Sequence, residues 1–163
     1  MVDVAEGAKP MGVGAAARPG RAPWHLWLVG ALALLWTGFG ATDYTMSQLR
    51  NEAYLGQAAE GMGTTAAEMI AFIDSFPAWM HAFWALGVWG AFAGSLLLLM
   101  RSRHAVWAYA VSLLGLAVTQ AYQATLEMPE WARMASVMTV AIWAIAGFLL
   151  LYAAAMRRKG VLR

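Results

Sequence analysis

The sequence predicts an all-α, polytopic membrane protein: four transmembrane helices, both chain ends on one side, and a short extra helix in the outer loop. Three observations predict it. The chain of 163 residues is 61% hydrophobic and only 12% charged, whereas soluble domains carry charge on about a quarter of their residues. Four stretches (24–42, 77–100, 105–126 and 134–156) contain no Asp, Glu, Lys or Arg. As helices rising about 1.5 Å per residue, each is long enough to cross a hydrocarbon core of roughly 30 Å. Finally, the basic residues gather on one side of the four crossings.

Residues 1–22 are rich in Gly, Ala and Pro with Lys9, Arg18 and Arg21, the composition of a disordered tail. The transmembrane domain then occupies 23–157. Its first span, 24–42, is too long and too bulky at Trp27 and Trp36 for a cleaved signal sequence. The helical pattern continues through Tyr54 until Gly56, Gly61 and Gly63 break it. Thr65-Ala-Ala-Glu68 is a capping box that opens a short helix. On it Met69, Phe72, Ile73 and Phe76 share one apolar face, which suits a helix lying on the membrane or bundle better than a gate. Ser75 reads as the N-cap and Pro77 as the first-turn proline of the central span, 77–100, which Arg101 and Arg103 close. The third span, 105–126, follows directly. Pro129 and Glu130 begin the last helix, whose span is 134–156, and residues 158–163 form a basic tail.

Four crossings place the first tail, the 101–104 loop and the last tail together. Of the 11 Lys and Arg, all but Arg50 and Arg133 fall on that side; of the 9 Asp and Glu, all but Asp3 and Glu6 fall on the other. Positively charged loops stay in the cytoplasm, so both termini are expected inside and residues 43–76 outside. Trp24, Trp27 and Trp107 then mark the inner interface, and Trp79 and Trp131 the outer. A pI near 9.2 does not make this a nucleic-acid binder, because the cations sit at span ends and form no stripe. The absence of cysteine excludes disulfides, thiolate metal sites and cysteine nucleophiles.

Helices in lipid associate by close approach, which needs small residues on the contacting face. Gly87, Gly90 and Gly94 supply such a face on the central span, and Gly115 with Ser112 and Thr119 on the third. Gly30, Ala33, Thr37 and Ala41 do so on the first; Ser136, Thr139 and Gly147 do so less completely on the fourth. These residues predict packing within the bundle, with a seam to a second copy or another membrane subunit as the alternative. A second set, Asp43, Tyr44, Gln48, His81, Gln120 and Gln123, falls at similar depth near the outer ends of three spans, with Arg50, Tyr122, Glu127, Glu130 and Arg133 close by. It could line a cleft facing outward, although helix ends are polar wherever they meet water. Asp43 and Arg50, seven apart, are expected to pair across one helix face.

His25 and His104 share the inner depth that a bis-histidine haem would need, but that depth also favours headgroup contact. Seven of the 11 methionines lie toward the outer side, yet no tight cluster suits copper(I), and Met is a common core filler. No phosphate loop, His-Glu-x-x-His motif, nucleophile elbow or buried carboxylate pair is present. The expectation is therefore a non-enzyme without metal or cofactor, in contact with the lipid bilayer.

Three segments, residues 24–36, residues 40–54 and Phe76-Pro-Ala-Trp79 with Trp84-Ala-Leu-Gly-Val-Trp-Gly90, together resemble a group of small uncharacterised four-helix bacterial inner-membrane proteins. The likeness covers roughly residues 23–120. It implies a bacterial cytoplasmic-membrane location, and some members carry a sugar-transporter label. No mid-span acid is present for ion coupling, and four helices are few to enclose a sugar. Two readings result: an accessory or packing subunit of a larger membrane assembly, homo-oligomeric or mixed, and a small-solute transporter using the outer polar set.

Overall fold

A computed structural model describes residues 22–133 and 136–163; the expected tail over residues 1–21 lies outside them. Among the described residues every regular element is a helix: α1 (Trp24–Gln48), α2 (Glu52–Met62), α3 (Ala66–Asp74), α4 (Ala78–Leu99), α5 (Ala105–Gln123), α6 (Glu130–Arg133) and α7 (Ser136–Arg158). Four of them, α1, α4, α5 and α7, are long and apolar enough to cross a membrane. α4 lies between α1 and α5, and α7 leans on α5. The side chains of Lys and Arg at 101, 103 and 157–163 sit at one end, here the basic end. Asp43, Glu52, Glu60, Glu68, Asp74, Glu127 and Glu130 belong to the other, the acidic end.

The first connection departs from the expected continuous helix. α1 stops at Gln48, and Arg50 adopts the left-handed conformation with φ 52°. Its Nη1 donates to the carbonyls of Ser47 (2.9 Å) and Gln48 (3.0 Å) at the end of α1, the first of which also accepts from Arg50 N at 3.2 Å. Asn51 then opens α2 by accepting from the Tyr54 amide at 3.0 Å. α2 runs straight through Gly56 and Gly61, and ends only at Gly63, whose φ of 69° suits a residue without Cβ. Because the chain turns at 49–51, Asp43 and Arg50 no longer share a face, and the expected ion pair between them is absent. Arg50 instead grips Asp74 at the end of α3, Nη2 to Oδ1 2.5 Å and Nε to Oδ1 2.8 Å.

The capping box is formed as its residues dictate: Glu68 N donates to Thr65 Oγ1 (3.2 Å) and Thr65 N to Glu68 Oε2 (3.1 Å). The Thr64 hydroxyl adds a bond to the same carboxylate, and together these donors hold the Glu68 carboxyl below its usual range. Ser75 does not open α4. It closes α3, its hydroxyl donating to Phe72 O at 2.6 Å, and Pro77 occupies the N-cap position of α4. α5 ends at Gln123, three residues before the apolar run does, and Glu130 starts the separate helix α6. The expected start of the last span at Met134 lies outside the described residues; α7 begins at Ser136.

The tightest contact in the bundle is the α4–α5 interface. A Cβ on Gly115 would stand 2.5 Å from Gly87 N and 2.6 Å from Phe83 O, inside backbone that cannot yield. Gly90 faces Ser112, where a Cβ would meet the Ser112 backbone at 3.2 Å, and Gly94 receives the Tyr109 ring. Gly30 likewise admits Leu99 against α1. At the basic end α7 joins the others: Leu26, Leu98, Ala105 and Ala153 are fully buried there beside Met156. The last residues fold back into that cluster, with Val161 and Leu162 buried. Arg163 N donates to Arg101 O (2.8 Å) and Arg103 N to Arg163 O (2.6 Å), pinning the chain onto the α4–α5 loop.

These contacts separate two glycines of one bundle. Gly115→Ala is expected to lower unfolding stability in detergent by about 1–3 kcal/mol through overpacking. Gly147→Ala, with open space at its Cβ position, should be neutral or raise it by about 0.5–1 kcal/mol through helix propensity. Chemical or thermal unfolding followed by circular dichroism reads both.

Candidate functional site

Polar side chains that could act together lie in two places, one at the acidic end and one halfway along the bundle. At the acidic end, Tyr44 and Gln48 are one turn apart on α1, and His81 and Trp84 one turn apart at the start of α4. Gln48 Nε2 lies 3.0 Å from His81 Nδ1. With the amide donating, Nδ1 accepts and the ring proton belongs on Nε2. Trp84 stacks beside the imidazole (centroids 6.4 Å apart, planes 29°), and Tyr44 meets Trp84 edge-on at 5.1 Å. Phe76, buried where the chain enters α4, stands 6.1 Å from the imidazole on another side.

The remaining members of the outer polar set are placed differently. Asp43 turns to α2 and accepts from the Tyr54 hydroxyl at 3.0 Å. Burial, and then the neighbouring Asp43 carboxylate, push the Tyr54 phenol above its ordinary value. Gln120 and Gln123 are half-buried on α5, and among the described residues neither hydrogen-bonds to Gln48 or His81. What α5 sends toward the group is a ring: Tyr122 lies 6.4 Å from Phe76 and 5.0 Å from Trp79, edge-on in both cases. Phe72 of α3 continues the cluster to Trp131 at 5.4 Å. Aromatic side chains thus surround the place where the expected cleft would lie. The polar atoms present are an amide, an imidazole, a phenol and a carboxylate. Among the described residues no three His, Cys, Asp or Glu converge as a metal would require.

The second place was not visible as a unit in the sequence. Ser95, fully buried and the only hydroxyl residue in α4, lies 3.2 Å from Thr37 Oγ1 of α1, whose one proton is shared with Ala33 O at 2.8 Å. It lies 3.1 Å from the Tyr109 hydroxyl of α5. Its own proton goes to Ala91 O at 3.0 Å, which leaves Tyr109 as donor to Ser95. One serine therefore joins three membrane-crossing helices. Two turns away Ser112 Oγ of α5 donates to Gly87 O of α4 at 2.5 Å, across the gap that glycine keeps narrow. The signal available in the sequence was a single Ser in an apolar run, with Thr37 and Tyr109 in neighbouring spans. Among the described residues no buried side-chain nitrogen or oxygen lacks a partner.

The histidines at the basic end do not face each other as a haem pair. His25 Nδ1 lies 2.6 Å from the Tyr152 hydroxyl, tying α1 to α7, whereas His104 is an exposed residue at the start of α5. The glycines Gly87, Gly90, Gly94 and Gly115 all face contacts within the chain. Comparison with known protein families, with curated proteins and with solved structures finds no match.

The Ser95 node generates a direct expectation. Ser95→Ala removes the acceptor of the Tyr109 hydroxyl in a setting without water, and should cost about 1–2 kcal/mol in detergent unfolding. Thr37 keeps Ala33 O at 2.8 Å. In the background of Tyr109→Phe the same change should cost much less, because the stranded donor is gone. A double-mutant cycle by equilibrium unfolding measures the difference.

Proposed function

We propose that this chain is a non-enzymatic integral membrane protein that acts through its lateral surface, as an accessory or packing subunit of a larger assembly. The observation that carries this reading is the closure of the acidic end. Gln48 and His81 answer each other, Asp43 answers Tyr54, and the rings of Phe76 and Trp84 stand against the imidazole. The buried hydroxyls are likewise used to hold helices together. What the molecule presents outward is apolar: Leu35, Val140 and Leu151 are each about 70% exposed, and Trp89 and Trp143 project from the sides of α4 and α7. In this reading the basic end lies in the cytoplasm of a bacterial cell, on the positive-inside rule, and α2 and α3 lie outside. A solute carrier built on the same residues would have to part Phe76 from His81 and Tyr122 to admit its cargo.

Photo-crosslinking amino acids placed at Trp89 and Trp143, activated in native membranes, test the proposal. The expected result is a small, reproducible set of protein adducts identified by mass spectrometry, either other membrane proteins or this chain itself. Adducts to lipid alone, together with solute uptake in sealed vesicles that His81→Ala abolishes, would establish the carrier reading instead.

A further inference from the structure

One groove on the lateral surface is not explained by packing within the chain. It runs between α1 and α4 from mid-span toward the acidic end, an open space of about 560 Å³ whose lining includes Leu35, Gly38, Phe39, Thr42, Trp89 and Phe92. Its rims are apolar and uncovered, with Leu35 73%, Phe39 67% and Trp89 46% exposed. Gly38 and Thr42, one turn apart on α1, keep the floor low, which is the condition for a further helix to seat closely.

The groove holds an unused donor and an unused acceptor. Trp89 lies halfway along α4 (Ala78–Leu99), whereas tryptophan in membrane proteins belongs at headgroup depth. Among the described residues its indole N–H makes no hydrogen bond; Phe92 only meets the ring edge-on at 5.9 Å. In hydrocarbon such a donor is costly without an acceptor. Thr42 supplies the complementary group. It is exposed, and its hydroxyl proton goes to Gly38 O at 3.0 Å, which leaves the oxygen able to accept.

These two residues share a level in the membrane. α1 and α4 run in opposite directions, Tyr44 meets Trp84 at 5.1 Å, and a Cβ on Gly38 would lie 3.8 Å from the Phe92 ring. Trp89 therefore falls beside the turn of α1 from Gly38 to Thr42, and a helical side chain leans toward its own N-terminus, here toward Thr42. Within one chain no hydrogen bond joins them.

We propose that the α1–α4 groove is the interface of a parallel two-fold dimer, in which the Trp89 indole of each copy enters the other's groove and donates to its Thr42 Oγ1. A two-fold axis along the membrane normal keeps every residue at its own depth and faces the two grooves together, so donor meets acceptor twice. An acyl chain would cover the apolar rims but offers no acceptor at this depth. The proposal rests on the lateral-packing reading above and names its partner, a second copy of this chain.

Full-length chains carrying Lys159→Cys, labelled with donor or acceptor fluorophores, are mixed and diluted in liposomes, where energy transfer yields the dimer dissociation constant. Transfer should fall with dilution along a monomer–dimer curve. Trp89→Phe keeps a ring but loses the donor, and Thr42→Val keeps the shape but loses the acceptor. Each should raise the constant roughly tenfold, since symmetry doubles every lost bond. Combined, they should do little more than either alone, because both remove the same bond. Thr42→Ser, which retains the oxygen, should behave as the parent does. So should Trp36→Phe, which removes a mid-span indole outside the groove. Monomers at every dilution, no loss from Trp89→Phe or Thr42→Val, additive losses, or an equal loss from Trp36→Phe would each overturn the inference. Crosslinks from position 89 to other membrane proteins would then keep the broader reading, and adducts to lipid alone would remove both.

Discussion

Hydrocarbon cannot hydrogen-bond, and that single constraint orders this molecule. A backbone in such a medium must satisfy its own hydrogen bonds, here as helices, and a hydroxyl buried there must find its partner within the protein. Ser95 shows how the second demand shapes the fold. To answer Thr37 and Tyr109 at once it must lie where α1, α4 and α5 meet, which fixes the rotation of all three helices. Ser112 imposes a related condition, since its bond to Gly87 O is reachable only where no Cβ separates the helices. Glycine and hydroxyl positions therefore act together: one permits the approach and the other sets its register.

The same constraint explains where charge is found. Among the described residues Asp, Glu, Lys and Arg are confined to the two ends, and at each end they are organised differently. At the acidic end Arg50 serves three roles at one residue, as turn former, as cap for α1 and as the clamp on Asp74 that holds α3 down. A surface ion pair of this kind contributes little by itself, on the order of 0–1 kcal/mol; its value here is in fixing where the hairpin of α2 and α3 sits. At the basic end no carboxylate side chain among the described residues plays that part, and backbone atoms of residues 161–163 do the holding instead.

Much of this could be read from the residues in advance, for a physical reason. Spans announce themselves through local composition, so α4 falls within a residue of the limits that Pro77 and Met100 suggest, and the Thr65–Glu68 box is a purely local signal. The turn at 49–51 was hidden because Leu49, Arg50 and Asn51 are each compatible with a helix. It is Arg50 bonding to Ser47 O and to Asp74, a residue 24 positions away, that makes the break favourable. For the candidate site, depth could be estimated from rise along each helix, which placed Gln48 and His81 at one level. Whether Gln120 would face them depends on helix rotation, and that rotation is set by pairs such as Ser95 with Tyr109 that have no signature in one dimension.

The account stands or falls on the bundle crossing a bilayer with its charged ends in opposite aqueous spaces. Because the chain contains no cysteine, single cysteines can be placed at Gly61, Lys159 and Ser95 without background. In sealed membrane vesicles of known orientation a membrane-impermeant thiol reagent should modify Gly61→Cys and Lys159→Cys from opposite sides, and Ser95→Cys from neither. Modification of the first two from the same side, or ready modification of Ser95→Cys from water, would contradict it.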